Sequence, residues 1–155
     1  MSVAEKLVEL LKAQGLTCAT AESCTGGGVG SAITAVAGSS AVFAGGVISY
    51  ANEVKRDVLG VAAQALDEYG AVSPQVAAQM AEGARKLLKV DLAVSLTGIA
   101  GPDGGSGEKP VGLVWFGLAT KDGVRTEKAI FRGDRAKVRE QAVTHALGML
   151  TIGAA

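Results

Sequence analysis

Apolar positions along this chain keep two different periods, and the switches between them mark out the elements. Over Val3–Gln14, the residues Val3, Leu7, Leu10 and Leu11 recur on one helical face, and Gly15 supplies the stop. Residues 16–21 read instead as a short strand without a breaker. They run into a polar, glycine-rich turn, Glu22-Ser23-Cys24-Thr25-Gly26-Gly27-Gly28. A helix of small residues is expected over about 29–36, followed by a turn at Ala37-Gly38-Ser39-Ser40. The alternation over 42–50 predicts a second strand, with Gly45-Gly46 as a bulge.

Asn52-Glu53-Val54-Lys55 then begins a short helical turn, and residues 62–69 form a short helix stopped by Gly70. Ser73-Pro74 is a start signal, with Ser73 as cap and Pro74 as first helical residue. That helix runs to about residue 89 and buries Val76, Met80, Ala84, Leu87 and Leu88. The near-continuous apolar run 92–96 is the pattern of a strand covered on both faces. A long glycine-rich loop, 97–110, comes next. Strands over 111–120 and 124–131 are joined by the hairpin signal Lys121-Asp122-Gly123, and Asp134 caps a last helix running to about 150. The order β-α-β-α-β, hairpin, helix predicts one α/β domain over residues 1–155. It is a three-layer mixed β-sheet with helices on both faces and at least two antiparallel strands.

Composition narrows the picture. Of 155 residues, 48% are hydrophobic and 19% charged, which argues against disorder; with only 4% aromatic, the core is aliphatic. Fifteen basic residues balance fifteen acidic ones, so no overall field draws nucleic acid. No apolar run is long enough to span a membrane. Cys18 and Cys24 are too few for a disulfide framework, and Met1-Ser2-Val3-Ala4-Glu5-Lys6 lacks an apolar leader core. The expected setting is the cytoplasm, with both thiols reduced. A single histidine, His145, lies mid-helix, so neither a zinc site nor another metal or cofactor is expected.

Three polar clusters remain as candidates. The turn holding Ser23, Thr25, Gly26 and Gly27 is either an anion or oxyanion corner at a helix start, or a plain cap with a tight turn. Ser39, Ser40, Tyr50 and Lys55 are either surface residues or a nucleophile, a desolvated lysine base and a proton relay. The loop opening with Thr97-Gly98-Ile99-Ala100-Gly101-Pro102-Asp103-Gly104-Gly105 stands where α/β folds bind ligands, at a strand's carboxyl end. Cys24 precedes a helix N-terminus but has no histidine partner.

Taken in order, several segments resemble one family. They are Thr20-Ala21-Glu22-Ser23-Cys24-Thr25-Gly26-Gly27, Ala37-Gly38-Ser39-Ser40, Tyr50-Ala51-Asn52-Glu53-Val54-Lys55, Gly70-Ala71-Val72-Ser73, the Thr97–Gly105 loop and Glu108-Lys109-Pro110-Val111-Gly112. Collinear over nearly the whole chain, they are similar to the C-terminal domain family of the bacterial competence-damage protein CinA. Members consisting of this domain alone are similar to nicotinamide mononucleotide deamidase. The resemblance implies hydrolysis of a nucleotide's carboxamide, with Ser40 as nucleophile, Lys55 as base and Tyr50 beside them. It implies that Ser23 and Thr97 line the site and that Arg135 binds ligand, with the Thr25-Gly26-Gly27 corner as a second place for phosphate. It also implies a homodimer without the metal-dependent domain that precedes this one in full-length CinA. The alternative is a non-catalytic nucleotide-binding or dimerisation module of the same family.

Overall fold

Five strands form one sheet in the order β2-β1-β3-β4-β5 in the computed structural model, which describes residues 1–155. The strands are β1 (Cys18–Glu22), β2 (Phe43–Ile48), β3 (Leu92–Gly98), β4 (Leu113–Thr120) and β5 (Gly123–Ile130). β1 runs parallel to both β2 and β3, while β4 and β5 add on as an antiparallel hairpin. The helices are α1 (Val3–Gln14), α2 (Gly28–Thr34), α3 (Asn52–Asp57), α4 (Ala63–Tyr69), α5 (Pro74–Leu88) and α6 (Arg135–Ala154). A single 3-10 turn, Ser39–Ala41, precedes β2.

Strand alternation sorts the side chains into two layers. Leu92, Val94 and Leu96 of β3 and Val114, Phe116 and Leu118 of β4 pack with Leu7, Leu11, Val29, Ile33, Ala142 and Leu150, from α1, α2 and α6. The other face carries Ala19, Ala21 and Ala93 against Val76, Met80 and Ala84 of α5. Small residues there let α5 lie close: a Cβ on Gly117 would sit 2.5 Å from the Ala77 carbonyl oxygen. The expected mixed sheet with helices on both faces is therefore the fold. No helix is long and apolar enough to cross a membrane.

The boundaries differ from the sequence pattern where side chains intercept the backbone. β1 starts at Cys18 rather than residue 16, because the Thr17 amide and hydroxyl both donate to the Asp91 carboxylate. The register slips at Ala44, one residue before the expected bulge; Gly46 instead faces Thr20, leaving no room for a Cβ. β4 begins at Leu113, since the preceding Gly112 turns at φ +94° and its amide reaches the Ile99 carbonyl. α6 continues past residue 150 to Ala154, running through Gly153.

Candidate active site

The three parallel strands β1, β2 and β3 point their carboxyl ends at the same edge of the sheet. Ser23 follows β1, Ser49 and Tyr50 follow β2, and Thr97 is the next-to-last residue of β3. This is the edge where open α/β sheets hold ligands. A cavity of about 200 Å³ opens there, lined among others by Ser23, Cys24, Tyr50, Lys55, Thr97 and Arg135. Three residues separate β2 from α3, and that short helix swings Lys55 inward until only 1% of it is exposed.

Lys55 Nζ lies 3.0 Å from Ser23 Oγ, 2.7 Å from the Ser49 carbonyl and 3.1 Å from the Tyr50 carbonyl. No carboxylate forms an ion pair with it. The two carbonyls accept two N–H bonds in either protonation state of the amine. The third direction, toward Ser23, is a donor when Lys55 is charged and a lone pair when it is neutral. Burial without a counter-ion disfavours the ammonium and holds the Lys55 pKa below the ordinary 10.5. The neutral form can then take the Ser23 proton.

The turn after β1 is organised by Glu22, itself fully buried. Its carboxylate accepts from Thr25 Oγ1 at 2.6 Å and from the amides of Val29 and Gly30 at 2.9 and 3.0 Å. The first turn of α2 is thereby filled by a carboxylate of the protein itself. The amides of Cys24 and Thr25 donate to no oxygen of the protein. Burial pushes the Cys24 thiol up to about 11, so it is protonated at neutral pH and is no thiolate nucleophile. Nowhere do three His, Cys, Asp or Glu side chains cluster as a metal site would need.

The CinA C-terminal domain matches this chain over residues 1–152. The chain belongs to the CinA C-terminal domain family. The nicotinamide-nucleotide amidohydrolase PncC of Escherichia coli (strain K12) is 52% identical over 151 residues, covering 97% of this chain and 92% of that one. A protein of the same name from Enterobacter agglomerans is 55% identical over 138 residues, 88% of this chain and 84% of that one. Among solved structures, the competence/damage inducible protein CihA from Agrobacterium tumefaciens superimposes with a TM-score of 0.91 at 43% identity, covering 99% of this chain and 96% of that one.

Within this CinA domain, the expected site residues divide. Ser23, Lys55, Thr97 and Arg135 meet at the cavity. The expected pairing of Ser40 with Lys55 is not formed. Ser40 sits exposed on the 3-10 turn before β2, at the strand's amino end, whereas Ser49 and Lys55 follow its carboxyl end. A strand of this length separates the two ends by roughly 20 Å at about 3.3 Å per residue. Tyr50 reaches Lys55 through its backbone carbonyl; the residue is 63% exposed and its hydroxyl lies 3.4 Å from Arg135 Nη2. Behind Thr25, Gly26 and Gly27, the Val29 and Gly30 amides of α2 are taken by Glu22. Arg135 is anchored by donating to the Gly101 carbonyl at 2.8 Å. The sequence reading missed the Ser49 carbonyl, Asn52 at the rim and the capping role of Glu22. Only the position of Glu22, just before a helix start, hints at that role.

Proposed function

We propose that this chain hydrolyses the carboxamide of nicotinamide mononucleotide to nicotinate mononucleotide and ammonia, with Ser23 as nucleophile and Lys55 as its base. The amidohydrolase names of the Escherichia coli and Enterobacter relatives support the reaction and the substrate class. The observation that carries the mechanism is the 3.0 Å contact between Lys55 Nζ and Ser23 Oγ in a pocket lined by no carboxylate.

Neutral Lys55 takes the Ser23 proton as Oγ adds to the carboxamide carbon. The positive pyridinium ring withdraws electrons and favours the attack. The oxygen that gains charge is met by the free amides of the Cys24–Thr25 turn. Lys55 then passes its proton to the departing nitrogen, which leaves as ammonia, and a nicotinoyl ester of Ser23 remains. Water, deprotonated by the same amine, adds to the ester; Ser23 regains its proton and the carboxylate product leaves. Every proton taken up is returned, and no metal or redox cofactor enters.

The cavity volume of about 200 Å³ suits a pyridine ring with its carboxamide. A whole nucleotide needs the roughly 300–1,000 Å³ of ordinary ligand sites. The ribose and phosphate therefore extend past the mouth, where Tyr50 and Arg135 stand. A homodimer belongs to this reading, supported by the exposed apolar side chains of Ile48, Tyr50 and Val58 around the site; sedimentation of only a 15.5 kDa species would argue against it. The reaction recovers a pyridine nucleotide in its acid form. The test is ammonia release: purified protein given nicotinamide mononucleotide should yield ammonia and nicotinate mononucleotide in equal amounts. Binding without turnover would favour a non-catalytic nucleotide-binding module instead.

A further inference from the structure

Two side chains, the buried Glu22 and the exposed Arg139, grip the turn between Ser23 and α2 from opposite sides. From within, the Glu22 carboxylate accepts from Thr25 Oγ1 and from the amides of Val29 and Gly30. From α6, Arg139 Nε donates to the Cys24 carbonyl at 3.1 Å and Nη2 to the Thr25 carbonyl at 3.2 Å. Between these grips lie the Cys24 and Thr25 amides, which have no oxygen partner in the protein.

We propose that Glu22 and Arg139 are a paired positioning device that aims the Cys24 and Thr25 amides at the oxygen where negative charge develops. The inference rests on the Ser23 reading above.

Across a planar trans peptide the carbonyl and the following N–H point opposite ways. Holding the Cys24 carbonyl toward Arg139 therefore turns the Thr25 N–H away from α6. The Ser23 carbonyl, in turn, accepts from the Gly26 amide at 3.1 Å, which fixes the opposite direction for the Cys24 N–H. Glu22 completes the frame through its backbone as well. Its carbonyl accepts from the Ser49 amide at 2.7 Å, and the Ser49 carbonyl is the one that accepts from Lys55 at 2.7 Å. One residue thus ties the oxyanion donors and the base to the same strand end. A carboxylate suits this role because all its partners donate. A glutamine would set an NH2 against one of them, a donor facing a donor. Neither Glu22 nor Arg139 lines the cavity, so neither touches substrate. Donors fixed in advance stabilise the transition state more than the bound substrate, so the loss should fall on kcat.

The test compares Glu22→Gln, Arg139→Gln and the double variant with the parent enzyme, using nicotinamide mononucleotide. Sites able to bind are counted by calorimetric titration with nicotinate mononucleotide, and kcat is expressed per such site. The expected result is a kcat per binding site about ten- to a hundred-fold lower for Glu22→Gln and about tenfold lower for Arg139→Gln, the scale of a displaced or lost oxyanion donor. KM and product affinity should stay within about threefold. A purely structural role would lower the number of binding sites and the unfolding temperature while leaving kcat per site intact, and that result would overturn the proposal. So would a rise in KM at constant kcat. The double variant should lose less than the product of the two single losses, since both grip one turn; independent, multiplying losses would overturn the pairing. Arg139 is solvent-exposed, so its variant keeps the test decisive even where Glu22→Gln fails to fold. Ser23→Ala run alongside separates the two levels. Turnover surviving in Ser23→Ala sinks the nucleophile reading, whereas a dead Ser23→Ala beside a normal Glu22→Gln sinks only this one.

Discussion

Two turns of this chain look alike in one dimension: Ser23-Cys24-Thr25-Gly26-Gly27 and Gly38-Ser39-Ser40. Both place a serine among small residues at a change of element, yet one faces a buried lysine and the other faces water. The difference lies in strand polarity. Ser23 leaves the carboxyl end of β1, and Ser40 approaches the amino end of β2, which runs parallel to β1. A parallel crossover must carry the chain from one edge of the sheet back to the other. Lys55, arriving just after β2, is therefore delivered to the edge of Ser23 and away from that of Ser40. Residue type makes both serines eligible; topology selects one.

The sharpest way to break this comparison is to remove each hydroxyl in turn. Ser23→Ala should lower kcat by about four or more orders of magnitude, the scale of losing a catalytic nucleophile. Ser40→Ala should leave it within about twofold, as surface changes usually do. Ammonia release under saturating nicotinamide mononucleotide measures both, and the reverse ranking would overturn the assignment.

Nearly as large an effect is expected at the base. Lys55→Arg should be as inactive as Lys55→Ala, because a guanidinium stays protonated and has no lone pair to offer. An active Lys55→Arg enzyme would mean that only a positive charge is needed there. The pH dependence follows from the same burial. The working form is the neutral amine, so kcat/KM should rise as pH climbs through the lowered Lys55 pKa and level off above it. The same depression acts on stability. Between the folded and unfolded pKa values the unfolded chain holds more protons, so this group's contribution rises with pH across that window.

Much of the frame was legible in the residues. Ser73 and Asp134 mark their helix starts, and both cap as expected by accepting from Val76 and Lys137. The loop after β3 stands at the site edge, and Lys55 is inside it. What could not be read is what comes together across the chain. Ser23 and Lys55 are 32 residues apart, and Arg139 holds carbonyls more than a hundred residues earlier in the sequence. Glu22 is a different case. Its partners are only seven and eight residues on, but the polar run around it reads equally well as a ligand corner. A carboxylate ahead of a helix start is itself an anion able to fill it.

In the proposed reading Arg135 is the cation that meets the phosphate, and the expected effect is intermediate. A charge-assisted hydrogen bond is worth roughly 1.5–3 kcal/mol, or about ten- to a hundred-fold in binding. Arg135→Ala should lower kcat/KM for nicotinamide mononucleotide by about that factor and leave nicotinamide riboside, which lacks the phosphate, nearly unchanged. Equal losses on both substrates would show that Arg135 shapes the site, through its bond to the Gly101 carbonyl, rather than reading phosphate.

The smallest effect should come at Tyr50, and it sharpens the difference between backbone and side chain at one residue. The contact with Lys55 is made by the Tyr50 carbonyl at 3.1 Å, which Tyr50→Phe preserves. The phenol instead meets Arg135 Nη2 at 3.4 Å, a long bond at an exposed position. Its loss should cost about 0.5–1 kcal/mol, hence about a two- to fivefold drop in kcat/KM for the mononucleotide. The change should appear mainly in KM, because the hydroxyl steadies a binding group and does not meet the reacting carboxamide. It should also vanish in an Arg135→Ala background, where the phenol has nothing left to steady. If Tyr50→Phe instead lowered kcat a hundredfold and did so equally in that background, the phenol would have to move on substrate binding into contact with the Ser23–Lys55 pair. Tyr50 would then be a proton relay, and the carbonyl contact would be only part of its role.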